Sequence, residues 1–193
     1  MTSIPHRYYE QPWPEGEYRL FQFGYVVDDL LSEAANWARV YGIGPFHVFP
    51  RIDSPCTYRG TESTLDMQIG VAQAGPLQIE LIKQYCDRAS IYRDLIAKGT
   101  SGFHQLCTLA PDYEAKKAYF EQLGYDLVCE FFVRGQHVGY FDTLEDFGFF
   151  TEIVEEVPGF LEGLTRIAQT CAHWDGTDPV RILTRDGYRT PEN

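Results

Sequence analysis

Hydrophobic residues along this chain change period twice in the same way. Residues 18 to 27, YRLFQFGYVV, are rich in aromatic and β-branched side chains and read as a strand. Directly after them Leu30, Leu31, Ala34, Ala35, Ala38 and Tyr41 recur at helical spacing. Asp28 or Asp29 is placed to cap that helix and Gly42 to end it. The succession returns from Gln105 to Asp112, a strand running into a helix capped by Asp112 and stopped near Gly124. Setting Gln22 on Gln105 places Asp29 on Asp112 and Trp37 on Phe120 without a gap, which marks an internal repeat.

Further strands follow each helix. In the first half they are expected at 44–49, 63–75 and 77–85, with the Pro-, Cys- and Gly-bearing stretch 50–60 as a loop. In the second half they are expected at 125–133, 136–142 and 147–156, with a turn at Arg134-Gly135. Each half is therefore βαβββ. The expected organisation is an N-terminal arm over 1–17, a domain over 18–157 (module one 18–99, module two 100–157) and a C-terminal helix and tail over 158–193. Phe160, Leu161, Leu164, Ile167, Ala168, Cys171 and Trp174 form the apolar stripe of that helix, which is expected to pack on the domain or on a partner subunit.

A formal net charge of −12, with no basic run, argues against a nucleic-acid partner, because such binding draws on Lys and Arg at phosphates. No apolar run is long enough for a membrane span, and the N-terminus lacks a signal-peptide core. Five widely spaced cysteines without a CxxC pair suit free thiols in a reducing compartment. A cytoplasmic protein with no membrane partner is the expectation. The aromatic content suits a lined cavity or an oligomer interface, or plain core.

Candidate chemistry rests on polar residues in apolar strands. Glu80 in LQIELI and Glu152 in FFTEIV occupy matching places near the end of each repeat. Burying an unpaired carboxylate costs several kcal/mol, so such a group either faces solvent or has a cation, donors or water beside it. A pseudo-twofold fold would bring Gln22, Glu80, Gln105 and Glu152 onto one inner sheet face, a donor set suited to a hard divalent cation. His104 and Gln105 are neighbours on a strand, so alternation lets only one of them enter the cavity; Gln105 is expected to face it and His104 the other way, unless a bulge re-aims the ring.

These residues resemble a family, the vicinal oxygen chelate superfamily, which includes glyoxalase I, methylmalonyl-CoA epimerase, extradiol dioxygenases and bleomycin-binding proteins. The resemblance is carried by QFGYVVDDL, LQIELIKQY, HQLCTLAPDY and FTEIVEE. It implies an α+β fold in which two βαβββ modules form a curved, mixed eight-stranded sheet around a cavity, with the C-terminal helix added. It places the metal ligands at Gln22, Glu80, Gln105 and Glu152, with Gln105 standing where the family usually has His. It makes Glu80 and Glu152 the catalytic pair.

The implied function is a divalent-metal-dependent isomerase, epimerase or lyase that abstracts a proton next to a carbonyl and passes through an enediolate. The alternative is a metal-free protein of the same fold that binds or sequesters a small molecule. Dioxygenase chemistry fits less well, because neither ligand position carries the His that an iron site of that kind uses. Strand parity adds Gln78 as a cavity residue, and His47, His137 and Tyr140 are polar groups that could reach a substrate. Arg51, Arg59 and Arg134 lie in loops that could hold an anionic tail. The resemblance also implies a homodimer, and a substrate or ligand bearing a carbonyl.

Overall fold

A computed structural model describes residues 19 to 191; the arm expected over 1–17 falls outside them. In chain order the elements are β1 (Arg19–Val26), α1 (Leu30–Tyr41), β2 (Phe46–Val48), β3 (Ile52–Tyr58), β4 (Thr61–Ala74), β5 (Leu77–Gln84), α2 (Ile91–Leu95) and β6 (Gly102–Ala110). They continue as α3 (Tyr113–Gln122), β7 (Leu127–Val133), β8 (Gln136–Phe141), α4 (Leu144–Phe147), β9 (Phe150–Glu155), α5 (Pro158–Ala172), β10 (Val180–Thr184) and β11 (Gly187–Arg189). The fold is α+β, as expected.

Eight strands close into a ring. In one half β1 pairs with β5 in parallel, β5 with β4 and β4 with β3 antiparallel. In the other half β6 pairs with β9 in parallel, β9 with β8 and β8 with β7 antiparallel. The halves join through β1–β6 and β3–β7, both antiparallel, so each repeat supplies half of a barrel. Closure leaves no free edge within the ring.

Helices cover the outside, and that decides which way the glutamates face. Ile79 and Leu81 of β5 pack under α1 with Leu30 and Ala34. Ile153 of β9 packs under α3 with Tyr113 and Phe120. Since side chains alternate along a strand, Gln78, Glu80 and Ile82 must then point into the ring from β5, and Phe150, Glu152 and Val154 from β9. Asp29, rather than Asp28, caps α1 by accepting from the Ser32 amide, and Asp112 caps α3 by accepting from the Ala115 amide, each at 3.0 Å. Gly42 ends α1 in the left-handed region at φ 66°.

Three expectations need correction. The stretch expected as a loop over 50–60 is β3, a full member of the ring, whereas the segment expected as a ring strand over 44–49 is the short β2 beside it. Ser54 and Cys56 of β3 face inward between exposed neighbours, so the strand alternates despite Pro55. Pro55 lies one residue beyond the β7 ladder, where its missing N–H removes no bond to that neighbour. The tail beyond α5 was not expected to hold strands, yet β10 runs parallel to β2 and pairs with β11. The third is a bulge in β6 at His104, which breaks the expected alternation.

The two caps generate a stability prediction. Asp29→Ala and Asp112→Ala should each lower the unfolding free energy by about 1 kcal/mol. The losses should add in the double variant, since the caps share no partner; urea denaturation of the four proteins checks this.

Candidate functional site

The ring encloses a cavity of about 720 Å³. Its walls are apolar, with Phe49, Ile69, Val71, Phe131 and Val138 among them, and Phe160, Leu164 and Ile167 of α5 complete the lining. Gln22, Gln78, Glu80, Tyr92, Tyr140 and Glu152 bring polar groups to the wall, and Arg134 and Arg166 also line the cavity. The stripe of α5 therefore covers the cavity as well as packing on the domain.

Register explains the convergence. On the β1–β6 seam Gln22 lies opposite Cys107 and Gly24 opposite Gln105; on the flanking strands Gln78 lies opposite Gln22, Glu80 opposite Gly24 and Glu152 opposite Cys107. Directly opposed residues share a face. A Cβ on Gly24 would sit 2.2 Å from the Gln105 amide, so the glycine makes the room in which that amide lies. The amide nitrogen of Gln105 is 3.2 Å from Glu80 Oε2 and 3.2 Å from Glu152 Oε2. Gln22 Nε2 donates to Gln78 Oε1 at 3.3 Å, while Gln78 Nε2 has no hydrogen-bond partner.

His104 does not face outward. Gly24 pairs with Gln105 but Tyr25 pairs with Phe103, so one residue of β6 is left over. That bulge turns His104 and Gln105 to the same side. His104 is fully buried, its ring centroid 5.0 Å from Phe150 and 5.3 Å from Tyr92. Nε2 lies 3.0 Å from the Ile91 carbonyl oxygen, and Nδ1 faces the amide oxygen of Gln105.

Both carboxyls are buried, and among the described residues neither pairs with a Lys or Arg. Burial, reinforced by the charge of Glu152, pushes Glu80 well above the usual carboxylate range. Burial pushes Glu152 up to about 7, against hydrogen bonds from Cys107 and Tyr140 that pull it back. Tyr140 and Tyr92 meet through their hydroxyls at 3.3 Å, and burial pushes both phenols well up.

Two expected substrate residues are elsewhere. His47 belongs to β2, outside the ring, and is absent from the cavity wall; burial and neighbouring Arg181 push its pKa down. His137 is three residues from inward-facing Tyr140, so alternation puts it outside, stacked on Tyr113 at 4.9 Å and against Phe132 at 4.6 Å. Tyr140 and Gln78 do line the cavity. Of the loop arginines, Arg51 pairs with Asp66 and Arg59 with Asp94, leaving Arg134 at the cavity. Tyr92 was missed: it comes from the short helix α2, and nothing in its local pattern points to a cavity.

Among the described residues no group of three or more His, Cys, Asp and Glu side chains is placed to hold a metal ion. A cation between Glu80 and Glu152 would have both carboxyls and the Gln105 amide beside it, with Gln22 further along the same face. All of these can offer oxygen, which suits a hard ion and not a soft one.

The family described as the Glyoxalase/Bleomycin resistance protein/Dioxygenase superfamily matches residues 21–141, and the chain belongs to that superfamily. Two solved structures share the fold. A methylmalonyl-CoA epimerase from Mycobacterium tuberculosis is 16% identical with a TM-score of 0.53, over 80% of this chain and 99% of that one. A hypothetical protein from Bacillus halodurans C-125 is 15% identical with a TM-score of 0.53, over 74% of this chain and 96% of that one. No curated protein matches the chain.

The raised carboxyl pKa has a thermodynamic consequence. A carboxyl that titrates near 7 when folded and near 4.5 when unfolded binds more protons in the folded state between those values. Its stabilising contribution is full below about pH 4.5 and is lost as pH rises through 7. Glu152→Gln removes that dependence. Between pH 4.5 and 7.5, in chelator, the wild type should lose on the order of 3 kcal/mol relative to the variant. Parallel urea-denaturation curves across that range would contradict the burial of an unpaired carboxyl.

Proposed function

We propose that the chain is a divalent-metal-dependent isomerase, epimerase or lyase that moves a proton at a carbon next to a carbonyl. Gln22, Glu80, Gln105 and Glu152 hold the cation, and Glu80 and Glu152 transfer the proton. One observation carries the reading: two buried carboxyls that line an apolar cavity meet at a single amide, that of fully buried Gln105, with no cationic side chain paired to either among the described residues. Two like charges so placed repel, and a cation between them relieves both the repulsion and the lost hydration.

Each residue then has a definite task. Bound in that place, a divalent cation supplies Lewis-acid polarisation of the substrate carbonyl oxygen. Glu152, whose carboxyl burial pushes up when no cation is bound, can take a proton in one half-reaction and return it in the other. Glu80, on the matching strand of the other repeat, offers a second carboxyl for the return. Tyr92 and Tyr140 keep their hydroxyl hydrogens at neutral pH and can donate toward oxygen that gains negative charge. The apolar walls and α5 limit the contact of the reacting carbon with bulk water.

The apolar lining supports a second reading, in which the same cavity holds a small carbonyl-bearing or aromatic ligand without chemistry. Calorimetric titration separates the two. The wild type should bind Mg²⁺ or Mn²⁺, and Gln105→His should raise zinc affinity by about tenfold or more, because imidazole is the better donor to that ion. Glu80→Gln combined with Glu152→Gln should abolish binding. A wild type that gives flat curves for all three ions, with an intact fold by circular dichroism, leaves the ligand-binding reading.

A further inference from the structure

The proton-transfer scheme uses Gln105 and leaves its neighbour His104 without a task, although this imidazole is fully buried and touches the Gln105 amide. Its hydrogen bonds restrict what it can be. Nε2 lies 3.0 Å from the carbonyl oxygen of Ile91. A carbonyl only accepts, so Nε2 carries a hydrogen, and in a neutral ring Nδ1 is then a bare lone pair.

A bare Nδ1 needs a donor, and the Gln105 amide has one at its nitrogen end. The amide oxygen on Nδ1 instead would require a hydrogen on both ring nitrogens. That makes a buried imidazolium with no carboxylate among its hydrogen-bond partners. Turning the amide half a revolution about its last bond exchanges nitrogen and oxygen in place and moves nothing else. The nitrogen then donates to Nδ1, and the oxygen takes the position 3.2 Å from one oxygen of Glu80 and one of Glu152. Three oxygens drawn together require a proton or a cation among them.

We propose that His104 is a positioning residue, anchored through Nε2 to Ile91, whose Nδ1 holds the nitrogen end of the Gln105 amide and so turns the amide oxygen toward Glu80 and Glu152. Gln105 thereby becomes a fixed oxygen donor and the site is directed to hard ions. The surroundings support both halves of this. Phe150, Tyr92 and Tyr140 rings lie at 5.0, 5.3 and 6.3 Å from the imidazole and restrain its rotation, and Gly24 leaves the amide its space. The donor role rests on the cation reading given under Proposed function.

Two measurements on the full chain test it. In spectra of ¹⁵N-labelled histidine at neutral pH, in chelator and with Mg²⁺, His104 should show hydrogen on Nε2 and none on Nδ1. Calorimetry with Mg²⁺ and Mn²⁺ then compares variants that keep different parts of the ring. His104→Asn can place an acceptor where Nδ1 was, and should bind within about threefold of wild type, whereas His104→Gln and His104→Phe should lose roughly 10- to 100-fold in affinity. If His104→Gln rescues binding and His104→Asn does not, the ring only anchors Ile91, and the proposal falls. A wild type that binds either ion while Nδ1 carries a hydrogen overturns the positioning role alone. A wild type that binds neither ion overturns the cation reading, and the donor role with it.

Discussion

Two carboxyl groups, Glu80 at 8% exposure and Glu152 at 4%, share one amide, and the cost of keeping them there shapes what surrounds them. Withdrawing an unpaired carboxylate from water costs several kcal/mol. Neither residue can swing out to solvent, because the alternate positions on the same strands, Ile79, Leu81 and Ile153, are held under α1 and α3. The folded protein answers by favouring the neutral acids, by hydrogen bonds from Cys107 and Tyr140, and in the proposed working state by a cation.

The closed ring makes this arrangement possible. Repeating one βαβββ unit brings equivalent residues together across the β1–β6 seam, where Gly24 faces Gln105 and its counterpart Cys107 faces Gln22. The two halves are not identical at matching places. Gly24 has no side chain to compete with the amide, and at the bulges that both strands carry β6 has His104 where β1 has Phe21.

Much of this was legible in the sequence. The repeat and the cap at Asp112 follow from sequence pattern, which narrows the first cap to Asp28 or Asp29. The inward facing of the glutamates follows from the repeat rather than from their own strands, where alternation alone also allows them to face solvent. What escaped depends on partner strands. A bulge adds one residue relative to a neighbour and leaves no mark on its own strand, so alternation put His104 outside. Pro55 argued against β3 because a proline disrupts a ladder, but whether a ladder runs there is decided by where β7 ends. His137 could have been excluded, since it and Tyr140 are an odd number of residues apart on one strand. The tasks of α5 and Tyr92 were hidden for another reason: an apolar stripe or a lone aromatic says that a surface is covered, not which one.

The most direct measurement is a crystal structure of the full chain grown with Mn²⁺, read by anomalous scattering. The account predicts a peak on the cavity wall with oxygens of Gln22, Glu80, Gln105 and Glu152 at about 2.0–2.6 Å, the range of hard-ion contacts. Full-occupancy electron density for all four side chains with no anomalous peak among them would contradict it.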